Sequence, residues 1–364
     1  MHLFRNTGEV FKTAASGSTI TLLPLGILTT VKIFQSFVSI IQNKYLRECG
    51  MKEKIRIKRK NYIGEGTKPL VCQLNYGGQD DELPYFTFEG LDKTGCVAHC
   101  FTTRKGGVSS GYLESLNFSI NRGDTTENIA ENYRRVAALF GKTPADIVCS
   151  VQTHTTNVRK VTAADKGKGT LFVRDYNDVD GLITNEPEII LATFYADCVP
   201  LFIVDPINKA IGLSHSGWRG TVGKMGQVTL EAMAREYGTD PANVRVAIAP
   251  SICQSCYEVG EEVAADFEKA FVCDNAKAAE YLERFQQEIT EKDIADCLMY
   301  QKENGKYQLN LWYANFRVFR DAGVPNKQIE VTDICTCCNP DLLFSHRASN
   351  GNRGNLGAFI MLTV

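Results

Sequence analysis

Between residues 147 and 249 the chain runs through a series of short, unbroken apolar segments, and these limit its fold more than any other feature. They are 147–151 (IVCSV), 181–184 (GLIT), 189–195 (IILATFY), 201–204 (LFIV), 210–214 (AIGLS) and 244–249 (VRVAIA). A strand with one face in water alternates apolar and polar residues, so runs without alternation need cover on both faces. Segments with helical spacing supply candidates for that cover. Residues 128–140 place Ile129, Tyr133, Val136, Ala137 and Phe140 on one face, and residues 222–237 do the same with Val222, Met225, Thr229, Met233 and Tyr237 before a stop at Gly238. Residues 259–271 and 310–322 read as two more helices, and 97–102 as a further strand. The expected fold class is α/β: a layered α/β sandwich with a mixed sheet covered by helices.

The N-terminal part stands apart from this pattern. Residues 20–41 (ITLLPLGILTTVKIFQSFVSII) have the length of a membrane span, but Pro24 and Gly26 interrupt them, Lys32 and Gln35 lie inside them, and no small-residue cleavage site follows. Met51 opens MKEKIRIKRKN, which resembles an ordinary start leading into a first strand. The expectation is a leader or extension over residues 1–50 and one catalytic domain over 51–364, with no stable membrane association. Residues 277–306 are polar and irregular, and read as a surface insertion or helical excursion. A formal net charge of -2 gives no global attraction to nucleic acid. The 13 cysteines are odd in number and thinly spread over 364 residues, which fits reduced thiols in a cytoplasmic protein better than a secreted disulfide framework.

The chemistry-bearing residues sit where the strands end. His215 lies in LSHSGWRG, Cys198 in YADCVP and His154 in VQTHTTN. One thiolate and two imidazoles suit Zn²⁺, and three protein ligands leave a fourth position for water or substrate, as in catalytic sites. Behind His215, SGWRGTVGK joins closely spaced glycines to a helix start, so backbone N–H groups and Arg219 can face an anion. Trp218 can pack under a planar ring or wedge the core. A second Gly-rich loop, FTTRKGGVS, carries Arg104 and Lys105. With Arg219 and Asn117, they form the expected set of substrate and phosphate contacts.

These residues, and long motifs around them, carry a resemblance. QTHTTNV, DGLITNEPEIILATFYADCVPLFIVDP, AIGLSHSGWRGTVGKM, IAPSICQSCYEVGEEV and DICTCCNPDLLFSHRASNGNRGNLGAFIML are similar to the bacterial polyphenol oxidase or laccase-domain family. The resemblance implies a zinc-dependent purine nucleoside phosphorylase with adenosine deaminase activity, acting on purine nucleosides and inorganic phosphate. It puts the metal ligands on His154, Cys198 and His215, and implies a fold related to the cytotoxic necrotizing factor cysteine hydrolase type. His346 in LLFSHRAS departs from an aromatic residue found in relatives and is expected to be a packing substitution.

Two other chemistries use overlapping residues. A copper-dependent phenol oxidase would draw on many imidazoles, and the chain has five histidines in all. A cysteine hydrolase would use Cys198 as nucleophile, His215 as base and Asp197 as orienter. The remaining thiols, Cys253 and Cys256 in one C-x-x-C and Cys335, Cys337 and Cys338 in a C-x-C-C, have spacings that permit a second metal or redox site. They are expected to be unlinked reduced cysteines.

Overall fold

The computed structural model describes residues 11–12, 19–20, 57–60, 72–78, 83–271 and 298–363. The chain divides into two compact units, Met1–Arg56 and Ile57–Val364. In the first, Phe11–Lys12 pairs antiparallel with Thr19–Ile20. The apolar leader from residue 21 onward and residues 272–297 lie outside the described residues. Among the described residues no helix is long and apolar enough to cross a membrane.

The second unit is built on two six-stranded sheets. One runs in the order Ile329–Val331, Arg245–Ile248, Val199–Asp205, Ala210–Ser216, Gly181–Thr184, Val158–Lys160, parallel at its two outer pairs and antiparallel between. The other runs Cys72–Gly77, Leu83–Phe88, Val97–Thr102, Leu356–Leu362, Ile190–Tyr195, Ile147–Cys149, and only its last pair is parallel. The sheets pack face to face. Phe202 of the first meets Phe88 of the second with ring centroids 5.2 Å apart, and His99 at 6.1 Å. One residue out of phase, Leu201 and Ile203 point the other way and join Met225, Leu230 and Met233 of the Met225–Tyr237 helix and Phe316 and Phe319 of Leu311–Asp321 in one core. The outer face of the second sheet is covered by Thr126–Leu139, whose Tyr133, Val136 and Ala137 pack on Cys100, Ile147, Ile190 and Phe359.

The expected mixed α/β layering is therefore present, but the single sheet with helices on both faces is corrected to two sheets back to back with helices outside. Unbroken apolar runs report that both faces are buried, and helix and sheet bury them equally well. The helix expected over 222–237 is broken as well. A five-residue helix, Trp218–Val222, ends at Gly223, Lys224 takes a left-handed conformation at φ 59°, and Met225–Tyr237 begins anew before Gly238 stops it at φ 74°. The described end of the 277–306 insertion is a hairpin, Met299–Gln301 with Tyr307–Leu309. Ahead of the sheets, Arg59 makes an isolated bridge with Ile334, and the rest of the expected first strand lies outside the described residues.

Glu330, on the edge strand Ile329–Val331, accepts a hydrogen bond from the Gly90 N–H at 3.0 Å and borders a cavity of about 400 Å³ with Lys93, Arg245 and Lys327. Burial, then the nearby Glu89 and Asp92 carboxylates, push its pKa from 4.5 up to about 7. The folded state thus holds this proton more tightly than the unfolded chain, so the stabilisation is complete below pH 4.5 and is lost as pH rises to about 7. Glu330→Gln, which keeps an acceptor for Gly90, is expected to flatten that window. Denaturant melts at pH 5 and pH 8 should show the wild type losing about 1–2 kcal/mol more than the variant.

Candidate metal centre

The chain crosses from the second sheet to the first between Cys149 and Val158, and again between Tyr195 and Val199. His154 lies in the first crossing and Cys198 in the second. His215 is the penultimate residue of Ala210–Ser216, paired with Pro200 on the strand that follows Cys198. Residues from three distant parts of the sequence thus converge at the seam between the sheets. The metal-ligating atoms of His154, Cys198 and His215 all lie within 4.8 Å of one another. His154 is exposed, Cys198 half-buried and His215 buried.

Asp180, fully buried just before Gly181–Thr184, organises these side chains. Its Oδ1 accepts from the His215 Nδ1 at 2.7 Å and from the His154 backbone N–H at 3.1 Å, and its Oδ2 accepts from the N–H groups of Thr153 and Thr155 at 3.0 Å. The bond to Nδ1 fixes the tautomer of His215 and leaves Nε2 for a ligand, as carboxylates behind metal-bound histidines do. Burial opposes the negative charge on Asp180, yet the His215 imidazole and the backbone donors hold its pKa below the usual carboxylate value. The same ring of N–H groups stabilises the left-handed conformation of His154 at φ 67°, which aims its imidazole at Cys198, Nε2 to Sγ 4.0 Å.

The thiol and imidazole polarise each other. Burial raises the Cys198 pKa, but His215 and His154 bring it down from 9.0 to about 6. Burial lowers that of His215, but Cys198 and Asp180 raise it to about 9. A low-pKa thiol between two imidazoles is a donor set that fits a divalent ion of the zinc type.

The glycine after His-Ser has a steric reason. A Cβ on Gly217 would lie 2.9 Å from the His154 Cδ2 and 3.2 Å from the Cys198 Sγ, whereas one on Gly220 would meet nothing closer than 3.5 Å. Gly217→Ala is therefore expected to displace both ligands and weaken metal binding about 10-fold or more, with Gly220→Ala near wild type. Competition against a chelating dye measures both; equal affinities would refute the steric account.

The expected anion contacts divide. Arg219 is exposed and stacks its guanidinium over Trp218, 4.2 Å from the ring centroid. Trp218 is itself packed against the core, so it acts as a wedge. Lys105 is exposed on its loop. Arg104 and Asn117 are engaged by the chain: the Arg104 guanidinium donates to the carbonyls of Glu114, Pro340 and Tyr112, and the Asn117 amide donates to Ser119 and Asp124 while accepting from Ser119 and Asn355. Both tie the 104–125 loop together. The helix behind His215 has only five residues, so its dipole is smaller than a helix over 222–237 would supply.

Three further expectations are corrected. Asp197 does not orient His215; at φ 97° its carboxylate accepts from the Thr336 hydroxyl at 2.6 Å and the Arg347 N–H at 2.7 Å, and Asp180 takes its place at the imidazole. His346 is exposed and packs into no core. The thiols of Cys253, Cys256, Cys335 and Cys338, expected to be unlinked, form no disulfide but do not stand apart, since all four sulfurs lie within 4.8 Å of one another.

Sequence reasoning missed Asp180 and Arg353. Asp180 stands in the DVDG segment just after Asp175 and Asp178, and nothing but folding distinguishes it from Asp178. Arg353 sits in GNRGN, where flanking small residues were a usable signal. Burial and the like charge of Arg122 lower its pKa to about 10, and it lies close enough to Asp197 and Cys198 to feel their charge. Its buried Nε has no hydrogen-bond partner among the described residues.

A family profile described as multi-copper polyphenol oxidoreductase laccase matches residues 98–363. A protein named purine nucleoside phosphorylase YlmD from Bacillus subtilis is 34% identical over 264 residues, covering 71% of this chain and 86% of its own length. One named purine nucleoside phosphorylase from Bacteroides thetaiotaomicron is 33% identical over 276 residues, 76% of this chain and 95% of its own. Among solved structures, YlmD from Geobacillus stearothermophilus superposes with a TM-score of 0.68 at 30% identity, covering 81% of this chain and 100% of that one.

Proposed function

Since the chain belongs to the multi-copper polyphenol oxidoreductase laccase family, we propose that it is a purine nucleoside phosphorylase with adenosine deaminase as a second activity of the same zinc site. The observation that carries this is a three-ligand cluster, open to solvent at His154, with guanidinium groups nearby. Arg347 lies over the Tyr257 ring, 5.6 Å from its centroid, and the charges of Cys198, Asp197 and Arg219 also act on Tyr257. Every residue of the site belongs to the Ile57–Val364 unit, which lies within the residues 51–364 proposed as the catalytic part.

His154, Cys198 and His215 would hold the zinc. When bound, the ion supplies a Lewis acid beside the substrate. Arg219, with Lys105 as a further exposed cation and Arg353 through the guanidinium nitrogens not donating to Gly354 and Asn355, holds a tetrahedral oxyanion by charge-assisted hydrogen bonds. A phosphate oxygen bonds to C1′ of the ribose while the C1′–N9 bond breaks, its electron pair leaves on the purine, and a proton from solvent neutralises the base. The products are free base and ribose 1-phosphate. Two copper-type arguments weigh against oxidase chemistry. His99 is buried between the sheets with its Nε2 accepting from the Phe88 N–H at 2.9 Å, and His346 lies outside the cluster, so neither described histidine adds to the ligand set.

A second reading rests on the Cys198–His215–Asp180 relay: a thiol drawn down to about 6 beside an imidazole oriented by a buried carboxylate is also a hydrolase arrangement. One experiment separates them. Inosine is expected to be consumed only with phosphate present, giving hypoxanthine and ribose 1-phosphate, and Arg219→Ala should raise the phosphate KM at least about 10-fold with little change in nucleoside KM. Equal base release without phosphate, or ester hydrolysis by the metal-free protein with no nucleoside turnover, would replace phosphorolysis by the second reading.

A further inference from the structure

Two C-x-x-C segments, 82 residues apart in sequence, meet on the side of Asp197 away from the candidate catalytic centre. Cys253 caps and Cys256 ends the one-turn helix Gln254–Cys256, with the Cys256 N–H donating to the Cys253 carbonyl at 3.1 Å. Cys335 and Cys338 flank the turn after the isolated bridge Ser251↔Cys335. The four Sγ atoms all lie within 4.8 Å of one another, and those of Cys256 and Cys338 are 3.5 Å apart. Four sulfurs at the corners of a tetrahedron around one zinc stand about 3.8 Å apart, given Zn–S bonds of about 2.3 Å. Sulfurs this close have the spacing for a single ion, and a polynuclear iron–sulfur core would need them farther apart.

The surroundings match a thiolate site. The Cys253 backbone N–H points at the Cys335 Sγ at 3.2 Å, the kind of bond that stabilises a ligating sulfur. Lys60 faces the cluster and donates to the Ser255 hydroxyl at 3.3 Å; burial disfavours its charge, but the sulfurs of Cys253, Cys338, Cys256 and Cys335 raise its pKa. Lys60 is held there by main-chain bonding to Asp333 and by the bidentate Arg59–Asp333 pair at 2.9 Å. Cys337, the fifth thiol of the region, is not in the set.

We propose that Cys253, Cys256, Cys335 and Cys338 form a second, structural zinc site that staples the segment after Val246 to the segment before Leu342. Binding displaces four thiol protons to solvent and leaves a Zn(S-Cys)₄ centre of charge -2 that Lys60 partly offsets. The staple also borders the catalytic centre. Thr336, inside the second C-x-x-C, donates to the Asp197 carboxylate, and the Ile252 N–H, next to Cys253, donates to the Asp197 carbonyl at 3.0 Å. Asp197 precedes Cys198. The site thus fixes two of the three anchors of the left-handed residue that precedes Cys198, the third being the Arg347 N–H.

Elemental analysis of the purified full chain tests this, in the wild type and in Cys198→Ala. The wild type is expected to carry two zinc equivalents and Cys198→Ala one. In the Cys198→Ala protein, replacing that zinc by Co²⁺ should give the thiolate-to-cobalt charge-transfer bands and the visible spectrum of a tetrahedral four-sulfur centre. Cys256→Ser and Cys338→Ser should each lose this signal and lower the Tm. If either variant fails to fold, the metal count and cobalt spectrum of the Cys198→Ala protein decide. One zinc in the wild type and none in Cys198→Ala would overturn the proposal. So would intact-mass evidence that these cysteines are paired as disulfides, or iron in place of zinc. Because the readout is taken without the catalytic thiol, failure of the phosphorylase reading leaves the result unaffected.

Discussion

Cys198→Ala and His154→Ala are expected to lose one metal equivalent and about three orders of magnitude in nucleoside turnover while remaining folded, as shown by an unchanged circular-dichroism melt cooperativity. The loss follows from removing one of three ligands at a site whose fourth position serves substrate, where a Lewis acid contributes several kcal/mol to the transition state. Folding survives because neither side chain contributes to the packed interior. His154 is exposed in a loop, and Cys198 lies half-buried between strands whose apolar contacts it does not share. Full metal occupancy in both variants by elemental analysis, or unchanged turnover, would place the chemistry elsewhere. His215→Ala is a poorer probe because it strands the Asp180 carboxylate in the core.

Asp180→Ala carries the largest expected effect on stability. The carboxylate receives the N–H groups of Thr153, His154 and Thr155, the Thr155 hydroxyl and the His215 imidazole, all at 2.7–3.1 Å, and it is inaccessible to solvent. Removing it leaves those donors unsatisfied beside an imidazole with no counter-charge, at a cost of about 3–5 kcal/mol by analogy with broken buried pairs. Asp180→Asn keeps shape and one acceptor, so it is expected to fold and to lose about 10–100-fold in metal affinity through the misoriented His215. Denaturant unfolding of the alanine variant and dye-competition metal titration of the asparagine variant measure the two effects. An alanine variant within 1 kcal/mol of wild type would show that backbone geometry, not this carboxylate, shapes the His154 turn.

The strand runs, the helical stripes and the three candidate ligands that the fold brings together were legible because each depends on local chemistry. A run such as IILATFY must be buried wherever it goes, and a histidine or cysteine in a motif carries its ligand chemistry with it. Strand positions accordingly agree closely, down to Gly181–Thr184 and Val97–Thr102. Partnership was not legible. Whether Leu201 faces a helix and Phe202 a second sheet depends on which segments fold against them, and the sequence records only that both are apolar. The same holds for polar groups. Asp178, Asp180 and Asp197 are chemically alike; only the fold buries Asp180 under three N–H groups and turns Asp197 toward Thr336. Arg104 and Asn117 have the right chemistry for phosphate, but the chain's own carbonyls and amides reach them first. Of the cysteines, spacing alone showed a C-x-x-C and a C-x-C-C; that four of their sulfurs converge was decided by the fold, which brings together residues 82 apart in sequence. The sequence by itself determined which atoms are available to bind or to be buried. Only tertiary structure decided which of them meet, because pairing energies fall off within a few ångströms and residues far apart in sequence reach that range only in the folded chain.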